Sequence, residues 1–307
     1  MKDPTYERFI AWYESINQNK SGSVFSPHKP LAIVWALAGV LKGKRFISYK
    51  DDREALEDLI WSQTNLKSRP NCLQPLWRLC NDSSTIAVWI SNPSSPELNK
   101  SGDVPTAFAT SNNFQAGFSD EFYTWLARNL DITQQLIMHI IDDNFAESLH
   151  PEIFDSLGMG KISPVVVESE RIITSISKVK RDPNFPKLVM AAYDFRCCVC
   201  KLKLSLNNKP VPLEAAHIKW KAQGGECSVH NGLALCPTHH YTFDKGIWTI
   251  GQDYEVILSE RVIIDGKSDT FFKPYIGHSI VETLMDDRFV PNKANIHWHQ
   301  KSIFKRV

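Results

Sequence analysis

Two short pairs of metal-ligating residues, separated by a long loop, constrain this chain more than any other feature of its sequence. Cys197-Cys-Val-Cys200 forms a C-x2-C pair, and Cys236-Pro-Thr-His239 forms a C-x2-H pair after 35 intervening residues. Each pair can bind two sides of a tetrahedral ion and so close the loop between them. Cys197 is a better partner for Cys200 than Cys198 is, because two cysteines at a C-x-C spacing are less suited to binding the same zinc ion. We therefore predict a structural zinc site made by Cys197, Cys200, Cys236 and His239, with no open position for chemistry.

The other cysteines and the N-terminus suggest a reducing compartment. Five of the seven cysteines lie between positions 197 and 236, a clustering that indicates metal rather than disulfides. We expect packing roles for Cys198 and Cys227. The first residues lack the apolar stretch of a signal peptide, and the longest nearly apolar run, 31–41, is shorter than the ~20 residues of a membrane span. We expect a cytoplasmic protein that does not bind membranes.

Length and composition predict two domains of an α+β protein. The chain has 307 residues, 43% hydrophobic and 22% charged, which is ordinary for soluble globular proteins. Six of the nine tryptophans fall in the first 125 residues, enough for a separate aromatic core. The pattern weakens between about 150 and 180. We predict an α-rich N-terminal domain at 1–155, a linker at 156–182 and a C-terminal domain at 183–307.

Hydrophobic spacing predicts the main elements of both domains. A serine cap by Ser26 is expected at the start of the second helix, with Pro30 in its first turn. The stretch 93–117, rich in Ser, Pro, Asn and Gly, is expected to be a surface loop. The predicted helices are 5–16, 29–42, 52–62, 119–129 and 185–195; a strand is expected at 210–218 and a hairpin at 246–258.

A basic segment overlaps the metal-binding pairs. Between Lys178 and Lys221 there are ten Lys or Arg and three Asp or Glu, although the whole chain carries a formal charge of only +1. A basic segment beside a metal site favours a polyanionic partner such as DNA. A solvated basic face is the alternative.

The residues inside the zinc-closed loop resemble those of the HNH nuclease family. Glu214-Ala-Ala-His217 is followed by Asn231-Gly-Leu-Ala-Leu and then by His240-Tyr-Thr-Phe-Asp244. The resemblance implies a ββα-metal fold and a DNA endonuclease that hydrolyses phosphodiester bonds. It implies that His217 is the general base, that Asn231 holds a loop or reaches the metal, and that His240 binds the metal or the phosphate. An imidazole suits the base role because its pKa lies near neutral pH.

The same resemblance implies a catalytic Mg²⁺ or Mn²⁺ beside the structural Zn²⁺. Many HNH enzymes place an acidic or histidine ligand directly before the base, and here that position is Ala216. Glu214 on the strand and Asp244, one helical turn after His240, are the candidate replacements. The structural alternatives are a solvated carboxylate for Glu214 and a helix-capping or loop-bracing role for Asp244.

Two N-terminal motifs resemble the sulfur-binding domain of phosphorothioate-dependent restriction endonucleases. They are Ser26-Pro-His-Lys-Pro30 at a helix start and Leu73-Gln-Pro-Leu-Trp-Arg-Leu79. A helix start offers unpaired N–H groups to a phosphate. In that family an apolar cavity flanked by basic and His groups holds the sulfur. Gln74 stands where the family usually has Tyr. Residue by residue, the resemblance implies a DNA- and sulfur-binding set of His28, Lys29, Gln74, Pro75 and Arg78.

The leading interpretation is a restriction endonuclease that recognises phosphorothioated double-stranded DNA and cuts it with an HNH site. One alternative keeps the nuclease but makes it specific for methylated or unmodified DNA. Another is a zinc-braced DNA-binding protein without catalysis, against which the joint presence of His217, Asn231 and His240 argues. The sequence leaves open whether two chains form a homodimer for double-strand cleavage.

Overall fold

The computed structural model describes residues 3–16, 26–82, 87–160, 182–207, 209–210, 213–266 and 269–306. Contacts within the chain divide these residues into two units. The first unit holds the described residues up to 144 together with 150–160, and the second holds 145–149 and the residues from 182 onward. Most of the predicted linker, 161–181, lies outside the described residues, so the domain limits stay a prediction.

The first unit is mostly helical, as predicted, with one small antiparallel sheet of strand order β1-β3-β2. In chain order its elements are α1 (Pro4–Ser15), α2 (His28–Leu41), β1 (Phe46–Ser48), α3 (Tyr49–Ser62), α4 (Leu73–Leu79), β2 (Trp89–Asn92), α5 (Thr106–Ser111), β3 (Gln115–Phe118), α6 (Asp120–Arg128), α7 (Leu130–Asn144) and α8 (His150–Ser156).

Helix α2 lies at the centre of the first unit. Its side chains are apolar almost all round, and residues such as Leu31, Ile33 and Leu37 are fully buried. A helix without a polar face must be covered on every side, and α2 packs against α3, α4, α6 and α7. The predicted aromatic core is present: Trp89 stacks on Trp12 with ring centroids 6.4 Å apart and meets Phe118 edge-on.

The prediction of one loop over 93–117 was wrong for its second half. Residues 93–105 contain no helix or strand, but α5 and β3 lie in the remainder. The local composition of this segment did not indicate β3, because the strand forms by pairing with β1 and β2, which are distant in sequence. Gly117 is needed in this strand, since a Cβ atom there would lie 2.4 Å from the carbonyl oxygen of Arg45.

The predicted serine cap of α2 was also wrong. The N-cap residue is Pro27, which makes no side-chain capping bond, and the first helical bond runs from the Leu31 amide to the Pro27 carbonyl. Ser26 lies one residue before the N-cap. Its hydroxyl lies 3.3 Å from Nδ1 of His28 instead.

The second unit contains a ββα arrangement of β6, β7 and α10. Strands β6 and β7 pair antiparallel with His217 opposite Gly232, and both contact α10. Helix α9 packs so closely on this hairpin that a Cβ atom at Gly232 would lie 2.3 Å from Val189. The elements are α9 (Phe185–Ala192), β4 (Ser205–Leu206), β5 (Lys209–Pro210), β6 (Glu214–His217), β7 (Gly232–Leu235), α10 (Pro237–Asp244), β8 (Trp248–Ile250), β9 (Val256–Leu258), α11 (Asp269–Phe272) and α12 (Lys293–Ser302).

The core of the second unit is built from α9, β6, β7, α10 and the hairpin β8–β9, whose position matches the predicted hairpin. The strand expected at 210–218 is divided between β5 and β6. Among the helices that the structure describes, none is long and apolar enough to cross a membrane.

Candidate active site and metal centre

The four residues of the predicted zinc site converge in the second unit. Cys197 and Cys200 lie in the turn after α9, while Cys236 and His239 lie at the N-terminal end of α10. Their ligand atoms are all within 4.8 Å of one another. The Sγ atoms of Cys200 and Cys236 are 4.0 Å apart, and Sγ of Cys197 is 3.6 Å from Nδ1 of His239. Tetrahedral zinc with Zn–S bonds of ~2.3 Å needs sulfur–sulfur edges of about 3.8 Å, so this donor set fits the ion.

The turn at residues 197–201 determines which cysteine faces the cluster. The Lys201 amide donates to the carbonyl of Cys197, and Lys201 has φ of 59°. The amide of Cys198, the residue after Cys197, donates to the carbonyl of Ala234, and Cys198 is buried. The structure therefore places Cys197 in the cluster and leaves Cys198 out.

The electrostatics of the cluster also suit a divalent cation. Hydrogen bonds from the other two thiols lower the pKa of Cys236, whereas the neighbouring sulfurs and burial raise that of Cys197. The cluster by itself thus opposes three thiolates at once, and a doubly charged ion removes that opposition. Nε2 of His239 lies 2.9 Å from the carbonyl oxygen of Phe271. A proton on Nε2 leaves Nδ1 as the ligand atom, the arrangement that metal-binding histidines commonly show.

His217 is the last residue of β6, and two neighbours fix its ring. The imidazole stacks on Phe185 of α9, with centroids 4.0 Å apart and planes 15° apart. Its Nε2 atom lies 3.6 Å from Sγ of Cys227. The stacking defines the plane of the His217 ring, and the contact with Cys227 defines how the ring is turned within that plane.

Asn231 is fully buried just before β7 and holds the loop 219–226. Its Oδ1 atom accepts a hydrogen bond from the Lys219 amide, and Nδ2 donates to the carbonyls of Lys219 and Glu226. Its own carbonyl accepts the amide of Ile218, the residue after His217. Of the two roles that the resemblance allowed, these contacts correspond to holding the loop.

His240, on α10, lies between two carboxylates. Its Nδ1 atom is 2.7 Å from Oε2 of Glu214, and its Nε2 atom is 3.1 Å from Oδ2 of Asp244. Burial alone would lower the pKa of His240, but the two carboxylates outweigh burial and raise it to about 10.

The two carboxylates beside His240 differ in their surroundings. The Asp244 side chain is 2% exposed and also accepts hydrogen bonds from Nε1 of Trp220, at 2.8 Å, and from the Ser148 hydroxyl. The Glu214 side chain is 49% exposed. Among the described residues, these three groups form a row rather than a converging cluster, unlike Cys197, Cys200, Cys236 and His239.

The five predicted DNA-binding residues of the first unit lie on two helices that pack together, α2 and α4. Nζ of Lys29 is 2.6 Å from Asp82, which follows α4. Arg78 is 2.7 Å from Asp103. Both predicted cations thus have a carboxylate partner that sequence reasoning did not identify.

The remaining three residues of that set differ in exposure. Burial lowers the pKa of His28, so its imidazole is neutral at neutral pH. Gln74 is exposed, whereas Pro75, the next residue of α4, is buried. The set thus combines a neutral imidazole, an amide and an apolar ring with the two cations.

Sequence reasoning also missed Trp220 and the contact of Cys227 with His217. The indole of Trp220 fixes the carboxylate of Asp244, 24 positions later in the chain. The sequence carried no periodic signal for either contact, because both depend on the path of the loop that Asn231 holds.

Comparison with known proteins gives two family matches. Residues 6–162 match the ScoMcrA-like DNA sulfur-binding domain, and residues 197–251 match the HNH endonuclease family. The second range contains the four residues of the Cys/His cluster, together with His217, Asn231 and His240. No curated protein matched the chain.

Three solved structures illustrate the similarity. The sulfur-binding domain of SprMcrA complexed with phosphorothioated DNA is 18% identical, over 52% of this chain and 96% of that one, with a TM-score of 0.40. The Type IV phosphorothioation-dependent restriction endonuclease ScoMcrA is 15% identical, over 43% and 29%, with a TM-score of 0.35. The modification-dependent restriction endonuclease TagI is 25% identical, over 39% and 37%, with a TM-score of 0.31. The match therefore spans little more than a third of TagI.

Because the first family match covers just over half of the chain, the protein belongs to the ScoMcrA-like DNA sulfur-binding domain family, and it carries an HNH endonuclease domain after that domain.

Proposed function

We propose that this protein is a modification-dependent restriction endonuclease that binds phosphorothioated DNA through its first unit and hydrolyses phosphodiester bonds with the HNH site of its second. The observation that carries the proposal is the presence of both families in one chain, in the order reader then nuclease. The ordered surroundings of His217, Asn231 and His240 support a catalytic second unit, since DNA binding alone does not require them.

In the proposed reaction His217 accepts a proton from the attacking water. The oxygen of that water forms a bond to phosphorus, and the bond from phosphorus to the departing 3′ oxygen breaks. Stacking on Phe185 holds the imidazole in place, and Asn231 holds the loop beside it. A positioned histidine base of this kind contributes about 10²–10⁴-fold to a rate. When bound, Mg²⁺ or Mn²⁺ neutralises charge on the phosphate and on the departing oxygen.

The contacts of His240 favour Glu214 over Asp244 as a ligand of that divalent ion. The carboxylate of Asp244 is buried and already has Trp220, Ser148 and His240 as partners. A carboxylate so placed suits the role of orienting a metal-binding histidine through its far nitrogen. Nδ1 of His240 and the exposed carboxylate of Glu214 are then the groups that hold the ion.

Glu214→Gln is expected to raise the Mn²⁺ concentration required for half-maximal DNA nicking by about 10–100-fold, because the amide replaces a charged ligand. Its thermal stability should stay close to that of the wild type, since the side chain is half exposed. Asp244→Asn should instead lower the unfolding temperature, because it weakens a buried charged pair. The measurements are Mn²⁺ titrations of nicking and thermal melts. An unchanged Mn²⁺ dependence of Glu214→Gln would contradict the assignment.

For the first unit we propose that His28, Lys29, Gln74, Pro75 and Arg78 contact the modified phosphate. Sulfur is larger and less strongly hydrated than oxygen, so a site with apolar walls costs it less free energy. The ring of Pro75 and the neutral imidazole of His28 suit such a wall. Lys29 and Arg78 supply the charge that any phosphate needs.

Lys29→Ala is expected to weaken DNA binding and to reduce the slope of log affinity against log salt by about one unit, because one phosphate contact is lost. Lys50→Ala, on the exposed surface of α3, is the matched control and should leave the slope unchanged. The measurement is fluorescence anisotropy across a salt series. If Lys29→Ala keeps the wild-type slope, Lys29 stays with Asp82 and does not contact the DNA.

A comparative gel shift tests the reader directly. Two duplexes that differ by a single sulfur atom are titrated with the protein in the absence of divalent ions, and the modified duplex should bind at least about tenfold more tightly, or 1.4 kcal/mol. Equal affinities would remove the sulfur preference while leaving the nuclease proposal untouched. Repetition with methylated duplexes would then show whether the first unit recognises a different modification.

A further inference from the structure

Helix α12 lies beyond the HNH family match, yet one of its buried residues contacts the end of α10. The match ends at residue 251, whereas α12 spans Lys293–Ser302. His299 of α12 is fully buried. Its Nε2 atom lies 3.0 Å from the carbonyl oxygen of Phe243, the residue before Asp244. A segment outside the range of the nuclease family therefore contacts the part of α10 that carries Asp244.

Both ring nitrogens of His299 have a defined partner. A carbonyl oxygen only accepts hydrogen bonds, so Nε2 carries the proton and donates to Phe243. Nδ1 then accepts from the hydroxyl of Thr249 on β8, 2.9 Å away. The imidazole also stacks on the Phe243 ring, with centroids 3.7 Å apart and planes 3° apart. Burial lowers the pKa of His299 to about 4, so the ring is neutral at neutral pH and keeps this arrangement.

The residue before His299 reaches Asp244 by a second route. The ring of Trp298 meets that of Trp220 edge-on, with centroids 5.8 Å apart. Nε1 of Trp220 donates to Oδ1 of Asp244, whose other oxygen, Oδ2, lies 3.1 Å from Nε2 of His240. Helix α12 thus supports the backbone of Asp244 through His299 and its carboxylate through Trp298.

We propose that His299 is a positioning residue of the nuclease site: it fixes the end of α10 so that the carboxylate of Asp244 stays bonded to Nε2 of His240. Nδ1 of His240 then stays directed at Glu214, its proposed partner in binding the divalent ion. The inference rests on the proposed role of these two residues as ligands. It adds α12 to the parts of the chain that the nuclease site requires.

Substitutions on α12 separate the hydrogen bond of His299 from its packing. His299→Phe keeps a stacked ring but removes the donor, whereas His299→Gln keeps an amide N–H that can reach the carbonyl of Phe243. His297→Phe, at an exposed position of the same helix, is the matched control. The measurement is Mn²⁺ binding without DNA, by electron paramagnetic resonance.

We expect His299→Phe to weaken Mn²⁺ binding by about 3–10-fold, less than the roughly 10–100-fold typical of a residue that touches the metal-binding histidine itself. His299→Gln should bind more tightly than His299→Phe, and His297→Phe should match the wild type. Wild-type affinity in His299→Phe would overturn the inference, and so would equal losses in the Phe and Gln variants. If His299→Phe loses its zinc, Thr249→Val removes the other partner of the ring and should weaken Mn²⁺ binding likewise; unchanged binding would overturn the inference.

A double-mutant cycle shows whether His299 acts through Asp244. Two substitutions that act through one contact are not additive, whereas independent ones are. In the Asp244→Asn background, His299→Phe should therefore cause little further loss of Mn²⁺ binding. Losses that multiply in the double variant would overturn the inference, because His299 would then influence the site by another path.

A third readout needs neither Mn²⁺ nor DNA. In protein labelled with ¹⁵N-histidine, the Nε2–H proton of His240 that bonds to Asp244 exchanges slowly with water, and His240→Gln identifies its signal. His299→Phe should speed this exchange by at least about tenfold, and His297→Phe should not change it. An unchanged rate in His299→Phe would overturn the inference. A wild type that cuts no DNA would refute the proposed function instead, and the exchange rates would still decide the role of His299.

Discussion

His217→Ala is expected to abolish detectable cleavage while leaving DNA binding intact. The general base is lost, and the rate of nicking should fall by about 10²–10⁴-fold. The binding residues that we propose lie in the first unit, so affinity for phosphorothioated DNA should change by no more than about twofold. The measurements are nicking under saturating Mn²⁺ and anisotropy without divalent ions, on the same preparation.

His278→Ala is the control for this experiment. His278 is an exposed histidine of the same unit, outside the zinc cluster and the row around His240. It should keep wild-type activity. A fully active His217→Ala protein would contradict the role of His217 as base, whereas an inactive protein that has also lost its zinc would show that the substitution damaged the fold.

Cys236→Ser is expected to remove the zinc and to unfold the second unit. The free energy of zinc binding at four-ligand sites is about 10–16 kcal/mol, as large as the whole stability of a typical domain, about 5–15 kcal/mol. Loss of the metal therefore removes most of what stabilises α10 and the β6–β7 hairpin. Elemental analysis should fall from about one zinc per chain to about none. Hydrogen exchange should show lost protection in α10 and retained protection in α2.

Cys198→Ala is the matched control, since Cys198 is a buried cysteine of the same turn but not part of the cluster. It should keep its zinc and the protection of α10. If Cys236→Ser kept a full complement of zinc, or if α10 stayed protected without it, the cluster would not be the structural site that we describe.

The cluster of Cys197, Cys200, Cys236 and His239 could be predicted from the sequence because its information is local. Two ligands at close spacing define each pair, and the fold only has to bring two pairs together. His217, Asn231 and His240 could be named in advance because the segment that contains them resembles the HNH family. Helix α2 could be predicted because its apolar run is longer than an ordinary strand and is followed by Gly43.

Other features depend on burial and on distant contacts, which a sequence does not display. Glu214 and Asp244 were equivalent candidates until the structure showed one half exposed and the other buried. Strand β3 was missed because its pairing partners lie in remote segments. Cys227 had no assigned role, since its contact with His217 depends on the loop that Asn231 holds.

The proposed function joins a reader of sulfur-modified DNA to a nuclease in one chain. The most direct test is a competition in one tube between two plasmids of different length, one phosphorothioated and one unmodified, incubated with the protein and Mn²⁺. The phosphorothioated plasmid should be nicked or linearised while the other stays supercoiled. Equal digestion of the two plasmids, or digestion of neither, would contradict the proposed function.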